Sequence, residues 1–304
     1  MAPQHWLRRL FPASGEEHPA GAAVDTEMKF KSFSVIPGFG WTLGLGAGYF
    51  SVLVLLPFAA LIAYGCGIRP SAFAKALGDG EILSALGLSL RASLVAGLIN
   101  LVFGFILAWS IERYSFPGKR LLDSLIDIPF ALPTAVAGVS ISFLLSDDGY
   151  IGKIVNSLGF SLSGSDFTGI TFALVFVGIP FVVRTLQPVI KRLDASTEEA
   201  AGILGASPLQ TFLRVTLPPL IPPALTGFSL AFARAVGEYG SVIFVSSNLP
   251  FKSQILPVVI VGKIESHSYD AAVVTALIML AISAGILGFI SLLRKWSSKN
   301  EKTV

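Results

Sequence analysis

Arg234 and Glu238 stand four residues apart in a run from about 222 to 246 that is otherwise mostly apolar. In a helix that spacing puts two side chains on one face, where opposite charges neutralise each other. An ionisable residue at the middle of an apolar span costs about 2.5 to 3.5 kcal/mol on insertion scales, so each is a functional candidate by default. Two readings stay open: a structural ion pair that holds a bundle together, or an arginine that gives a passing anion a foothold while the glutamate keeps the site weak enough to release it. Arg91 is a third charge of this kind, within the run 86–111. It lies nearer the end of its run, where a long side chain can snorkel to an interface. Pro129 and Pro133 are candidates of another sort. A helix broken between them would aim backbone amides at an anion, and close packing accounts for the same two residues equally well.

Other chemistry is missing from the chain. Gly118-Lys119 and Gly262-Lys263 lack both the upstream glycine and the following Ser or Thr of a phosphate-binding loop. His5, His18 and His267 are scattered, and no metal-ligand spacing or Ser, His and Asp arrangement accompanies them. The single Cys66 excludes an internal disulfide and reads as a small buried residue near the end of an apolar run. No catalytic, cofactor-binding or metal-binding residue is expected.

The elements that must position the charges follow from composition. Hydrophobic residues make up 53% of the 304 positions and charged ones 13%, with a mean hydropathy of +0.73, too little polar surface to coat a soluble globule. Runs long enough to cross about 30 Å of hydrocarbon at about 1.5 Å per residue occur near 40–64, 86–111, 124–146, 168–189, 222–246 and 270–293. The expectation is an all-α integral membrane protein of six transmembrane helices spanning 40–293, with polar tails at 1–39 and 294–304. Six is even, so both termini lie on one side. The tails and the segments near 112–123 and 184–221 hold fifteen Lys and Arg, against five for the segments between, which assigns both termini to the cytoplasm and rules out a nucleic-acid stripe. Residues 1–35 contain no apolar core of a cleaved secretory signal, so the tail is expected to remain. Gly40, Gly44 and Gly48 read as a small-residue packing face of the first span.

The longest cytoplasmic connection, 190–221, contains two helix starts. Ser196 with Glu199 fits a capping box, and Ser207-Pro208-Leu209-Gln210 fits a second. Gly205 between them suits a left-handed C-cap, and Pro218, Pro219, Pro222 and Pro223 end the excursion. A structured protrusion of this kind suits docking to a partner.

Its residues run Glu199-Ala200-Ala201, then Gly205, then Val215, Leu217 and Pro218 at fixed spacing, which resembles the EAA loop of ATP-binding cassette importer permeases. The resemblance implies a type I importer bundle in which the short helix enters a groove on a separate cytoplasmic ATPase. Glu199 would meet a basic residue there, Ala200 and Ala201 would permit close approach, and Gly205 would form the turn. Three more stretches narrow the resemblance to the T-type permeases of the sulfate and thiosulfate family: Arg113–Asp123, Asp127–Gly138 with its Pro-Phe-Ala-Leu-Pro-Thr wording, and Gly237–Phe244. Tyr239 stands where Phe is more usual, and the polar tail is longer than expected. The resemblance implies a second, related permease as partner, two ATPase copies that hold the ATP and magnesium, an extracytoplasmic sulfate-binding protein, and the inner membrane as location.

Three other readings compete. A molybdate or tungstate permease carries a similar Gly-Glu-Phe-Gly element. An ion-gradient-driven secondary transporter would suit six helices with midplane charges but not the cytoplasmic loop. An intramembrane enzyme would need a convergent acid, base or nucleophile set, and no histidine lies within the spans.

Overall fold

A backbone in hydrocarbon has no water to bond with, so a chain this apolar satisfies its amides inside helices. The computed structural model describes residues 39–158 and 166–301, with side chains for 40–158 and 166–292. Every regular element among them is helical. The tail 1–38 and the segment 159–165 lie outside the described residues, as do His5 and His18.

The chain divides into two units at Leu56. The first contains α1 (Phe39–Phe50) and a π-turn at Ser51–Leu55. Its described side chains, 40–56, are all exposed, and at Gly40, Gly44 and Gly48 no atom lies within 4 Å of where a Cβ would stand. The expected packing face is therefore open within this unit.

In the second unit α2 (Leu56–Gly67), α3 (Pro70–Leu77) and α4 (Gly80–Arg113) are followed by three short helices, α5 (Lys119–Ile126), α6 (Ile128–Ala131) and α7 (Thr134–Leu145). Then come α8 (Tyr150–Ser157), α9 (Asp166–Arg192), α10 (Ala195–Ile203), α11 (Pro208–Thr211), α12 (Ile221–Val236), α13 (Val242–Val245), α14 (Leu256–Glu265) and α15 (Tyr269–Glu301). The core is the packing of α4, α9 and α12 on one another. Ala108, Ile111, Val182, Val183, Leu186 and Leu220 fill one end of it; Ala92, Ala96, Ile170, Leu174 and Ala235 fill another part. Small residues on α4 let these helices approach closely, as expected where lipid supplies no hydrophobic drive between helices. Pro180 and Pro188 lie inside α9 without ending it.

Among the described residues five helices are long and apolar enough to cross a membrane: Gly40–Gly67, Gly80–Arg113, Asp166–Arg192, Pro218–Val236 and Tyr269–Leu292. Three expectations change. The third run, 124–146, is no continuous helix but breaks at Leu132-Pro133, where Leu132 is extended and Pro133 stands before α7. Proline disfavours the helical conformation of the residue before it, which accounts for the break. The fifth helix stops at Val236 rather than near 246, and residues 237–241 are non-helical before α13. Cys66, expected to be buried, is exposed, and it is Gly65 beside it that lies buried, close to Leu277.

Candidate functional site

The two broken runs meet. A Cβ at Gly138 of α7 would fall 2.4 Å from the backbone oxygen of Ser241, and one at Gly240 would fall 2.2 Å from Thr134 Oγ1. Only glycine allows backbone to approach that closely. Glu238 lies in the same non-helical stretch, just past the end of α12 and 1% exposed. Its side chain is fully engaged. One oxygen, Oε1, accepts from the Ser241 backbone N–H at 2.9 Å and from Ser241 Oγ at 3.0 Å, and the other is paired with the Arg234 guanidinium. The ion pair expected from spacing is present, although Glu238 is not on the helix as supposed. Arg234 keeps about a third of its side chain exposed. The arrangement is a partly exposed positive group, anchored by a buried carboxylate whose own charge it balances. Ser241 was invisible to a helical reading because it reaches Glu238 only through the turn after Gly237.

The other pathway candidates are placed separately. Arg91 is exposed on α4, eleven residues from the start of that helix, and among the described residues no ion pair holds it. Pro129 is buried in the first turn of α6, and Pro133 is exposed at the cap of α7.

The connection after α9 forms the expected protrusion, with one correction. The helix start is capped by Asp194, whose carboxylate accepts from the Ser196 backbone N–H at 3.0 Å, so Ser196 is inside α10 and makes no capping box with Glu199. That N–H, and then the Ser196 side chain, hold the Asp194 carboxyl below its usual range. An aspartate one residue before the helix outcompetes a serine within it because its oxygen is already poised at the free amides. The second box is as expected: Ser207 Oγ accepts from Gln210 N, and Gln210 Oε1 accepts from Ser207 N at 2.9 Å, with Pro208 at the first helical position. Gly205 between α10 and α11 has φ +84°, a left-handed turn that a side chain would strain. Beyond α11 the chain continues as a π-turn, Phe212–Thr216, then a 3-10 turn, Pro218–Leu220. Glu199 and Ala200 are exposed, Ala201 partly so; Val215, Leu217 and Pro218 are half-buried at the foot. At the tip Ile203 and Leu204 are each 87% exposed. These two bare aliphatic side chains are adjacent on the turn between two capped helix starts.

Two anchors were missed. Arg113, at the end of α4, pairs with Glu198, the neighbour of the glutamate singled out from the sequence. Arg184, near the end of α9, uses all five of its N–H groups: on both Asp127 oxygens at 2.9 and 2.6 Å, on Asp123 Oδ1 at 2.6 Å, on the Asp123 carbonyl at 2.8 Å and on Gln187 Oε1 at 2.6 Å. It ties the connection 119–127 to α9. Gln187 most of all, joined by Arg184, holds the Asp123 carboxyl below the usual carboxylate range, although desolvation, second in size only to Gln187, raises it. The signal for Arg184 was the pair of aspartates at 123 and 127, four apart, opposite an arginine in an apolar helix. It is legible only once α5 is known to fold back on α9.

Comparison with known proteins gives a consistent result. Residues 100–298 match the family described as binding-protein-dependent transport system inner membrane component. The chain is 45% identical over 247 residues to the probable sulfate transport system permease protein cysT of Nephroselmis olivacea, covering 81% of this chain and 87% of that one. It is 42% identical over 251 residues to the sulfate transport system permease protein CysT of Synechocystis sp., with 83% and 87% covered. The Salmonella typhimurium CysT is 38% identical over 260 residues, with 86% and 94% covered. The fold resembles a chain of a bacterial ABC transporter that imports the acidic polysaccharide alginate, with a TM-score of 0.68 at 14% identity over 84% of this chain and 93% of that one.

Proposed function

Because the chain belongs to the binding-protein-dependent transport system inner membrane components, and among them to the sulfate transport permeases, we propose that it is the membrane-spanning subunit through which a sulfur oxyanion enters the cell. The observation that carries the coupling half of this reading is the protrusion 195–220, rigidly capped and turned at Gly205, with Ile203 and Leu204 bare at its tip. It docks on a separate ATPase that holds the nucleotide and magnesium; this chain binds no cofactor. Glu199 meets a basic residue of the ATPase, and the small Ala200 and Ala201 let the two surfaces close. A second, related permease completes the pore. A binding protein delivers the anion at the side opposite the protrusion, and both termini lie in the cytoplasm.

Arg234 supports the transport half. A tetrahedral dianion leaving water needs a counter-charge, and a fixed guanidinium provides one without binding too tightly, because Glu238 already offsets most of its field. The site therefore attracts without trapping.

The test is reconstitution in liposomes with the partner permease, ATPase and binding protein, measuring ATP-dependent uptake of labelled sulfate with thiosulfate and molybdate as competitors. Sulfate uptake that stops without ATP, and that excess thiosulfate suppresses more than excess molybdate, is the expected result. Molybdate uptake in preference to sulfate would replace the substrate assignment, and uptake without ATP would remove the importer reading.

A further inference from the structure

An ion pair joins the protrusion to the end of α4, and it contains Glu198, not Glu199. On a helix adjacent residues diverge by about 100°, and the structure uses this. Glu199 faces outward, whereas Glu198 turns back to the Arg113 guanidinium at the end of α4. Thr216 Oγ1, from the returning arm of the protrusion, also donates to Glu198 Oε1, at 3.2 Å. Both arms thus converge on one carboxylate. Arg113 in turn lies 5.0 Å over the ring of Trp109, one turn earlier on α4. Trp109 packs edge-on against Phe212 at 5.7 Å, and Phe105 stacks on Trp109 at 6.1 Å while meeting Phe212 edge-on at 6.3 Å. The pair is only 20% and 32% exposed at its two side chains, so water screens it poorly. Beyond it α4 runs unbroken for 34 residues, about 50 Å at the usual rise, packed along α9 and α12.

We infer that Arg113 and Glu198, braced by Trp109, Phe212 and Thr216, form the joint that transmits movement of the protrusion to α4. This rests on the importer reading above. Glu198 and Arg113 are positioning residues: they meet neither ATP nor anion. With the joint intact, a displacement imposed at the tip reaches a rigid rod that crosses the bundle. With it open, the tip can still dock through Ile203, Leu204 and Glu199, but the docked helix swings on its own linkers.

Three variants of the full chain, each assembled with its partners in liposomes, separate transmission from assembly: Glu198→Gln, Arg113→Glu, and the exchanged double variant Arg113→Glu/Glu198→Arg. The readouts are co-purification of the ATPase, the rate of ATP hydrolysis, and sulfate uptake per ATP hydrolysed. The single variants are expected to keep the ATPase bound and hydrolysing while uptake per ATP falls about tenfold, and the exchange is expected to restore most of that ratio. Unchanged uptake per ATP in the single variants overturns the proposal. So does loss of the ATPase from the complex together with no recovery in the exchanged variant, which would make the pair a fold contact only. The wild-type complex run in parallel distinguishes the two levels: no ATP-dependent uptake by wild type would sink the importer reading itself, not the joint.

Discussion

The charged side chains inside this chain are each satisfied in a different way, and the difference decides what each can do. Arg184 spends every N–H on Asp123, Asp127 and Gln187, which leaves none for a ligand. Arg234 has its charge balanced but its face still open. It is therefore the one whose replacement should alter transport without altering assembly: Arg234→Gln, whose amide N–H can still donate to the buried Glu238 carboxylate, is expected to lower sulfate uptake by roughly tenfold, corresponding to about 1.4 kcal/mol. The complex should purify at normal yield. Normal uptake by that variant, or loss of the complex, would each remove Arg234 from the pathway. Spacing alone revealed the Arg234 and Glu238 pair, because i to i+4 neighbours meet even when the helix ends between them. Ser241 was hidden, since its contact depends on the turn after Gly237 and turn geometry is weakly encoded in residue type.

At the scale of elements, the protrusion was the most legible part of the molecule. Its turn needed a left-handed residue and its second helix a Ser-x-x-Gln start, and Gly205, Ser207 and Gln210 supply them. The first cap was misread because Asp194 and Ser196 both suit a helix start, and only the three-dimensional path shows which side chain reaches a free amide. Ala201 lies on α10 with part of its surface open, where a partner must come close. Ala201→Asp should leave the fold intact, as a helix accepts aspartate in place of alanine at about 0.7 kcal/mol, yet block docking. ATP hydrolysis by the complex should lose its response to the binding protein and uptake should fall to background; retention of both would show that this face meets nothing. The broken spans were less legible. Pro129 and Pro133 announced an interruption, but an apolar run of the right length reads as one helix until the backbone is traced.

For the whole molecule, composition settled the class and charge asymmetry proposes the orientation. Cys66, alone of its kind and one residue from the end of the span Gly40–Gly67, makes that orientation measurable. A membrane-impermeant maleimide should label Cys66 from outside intact spheroplasts, whereas a Cys66→Ser/Ala201→Cys variant should be labelled only after the membrane is opened. The reverse pattern would invert the topology. The expected count of six spans becomes five long helices and one interrupted run, and the interruption has an electrical consequence. Where Gly138 meets Ser241 and Gly240 meets Thr134, there is no space for a methyl group, and a gap that small holds no water either. Protons cross membranes by hopping along files of water. At these two contacts no water fits, so a file of that kind is excluded there.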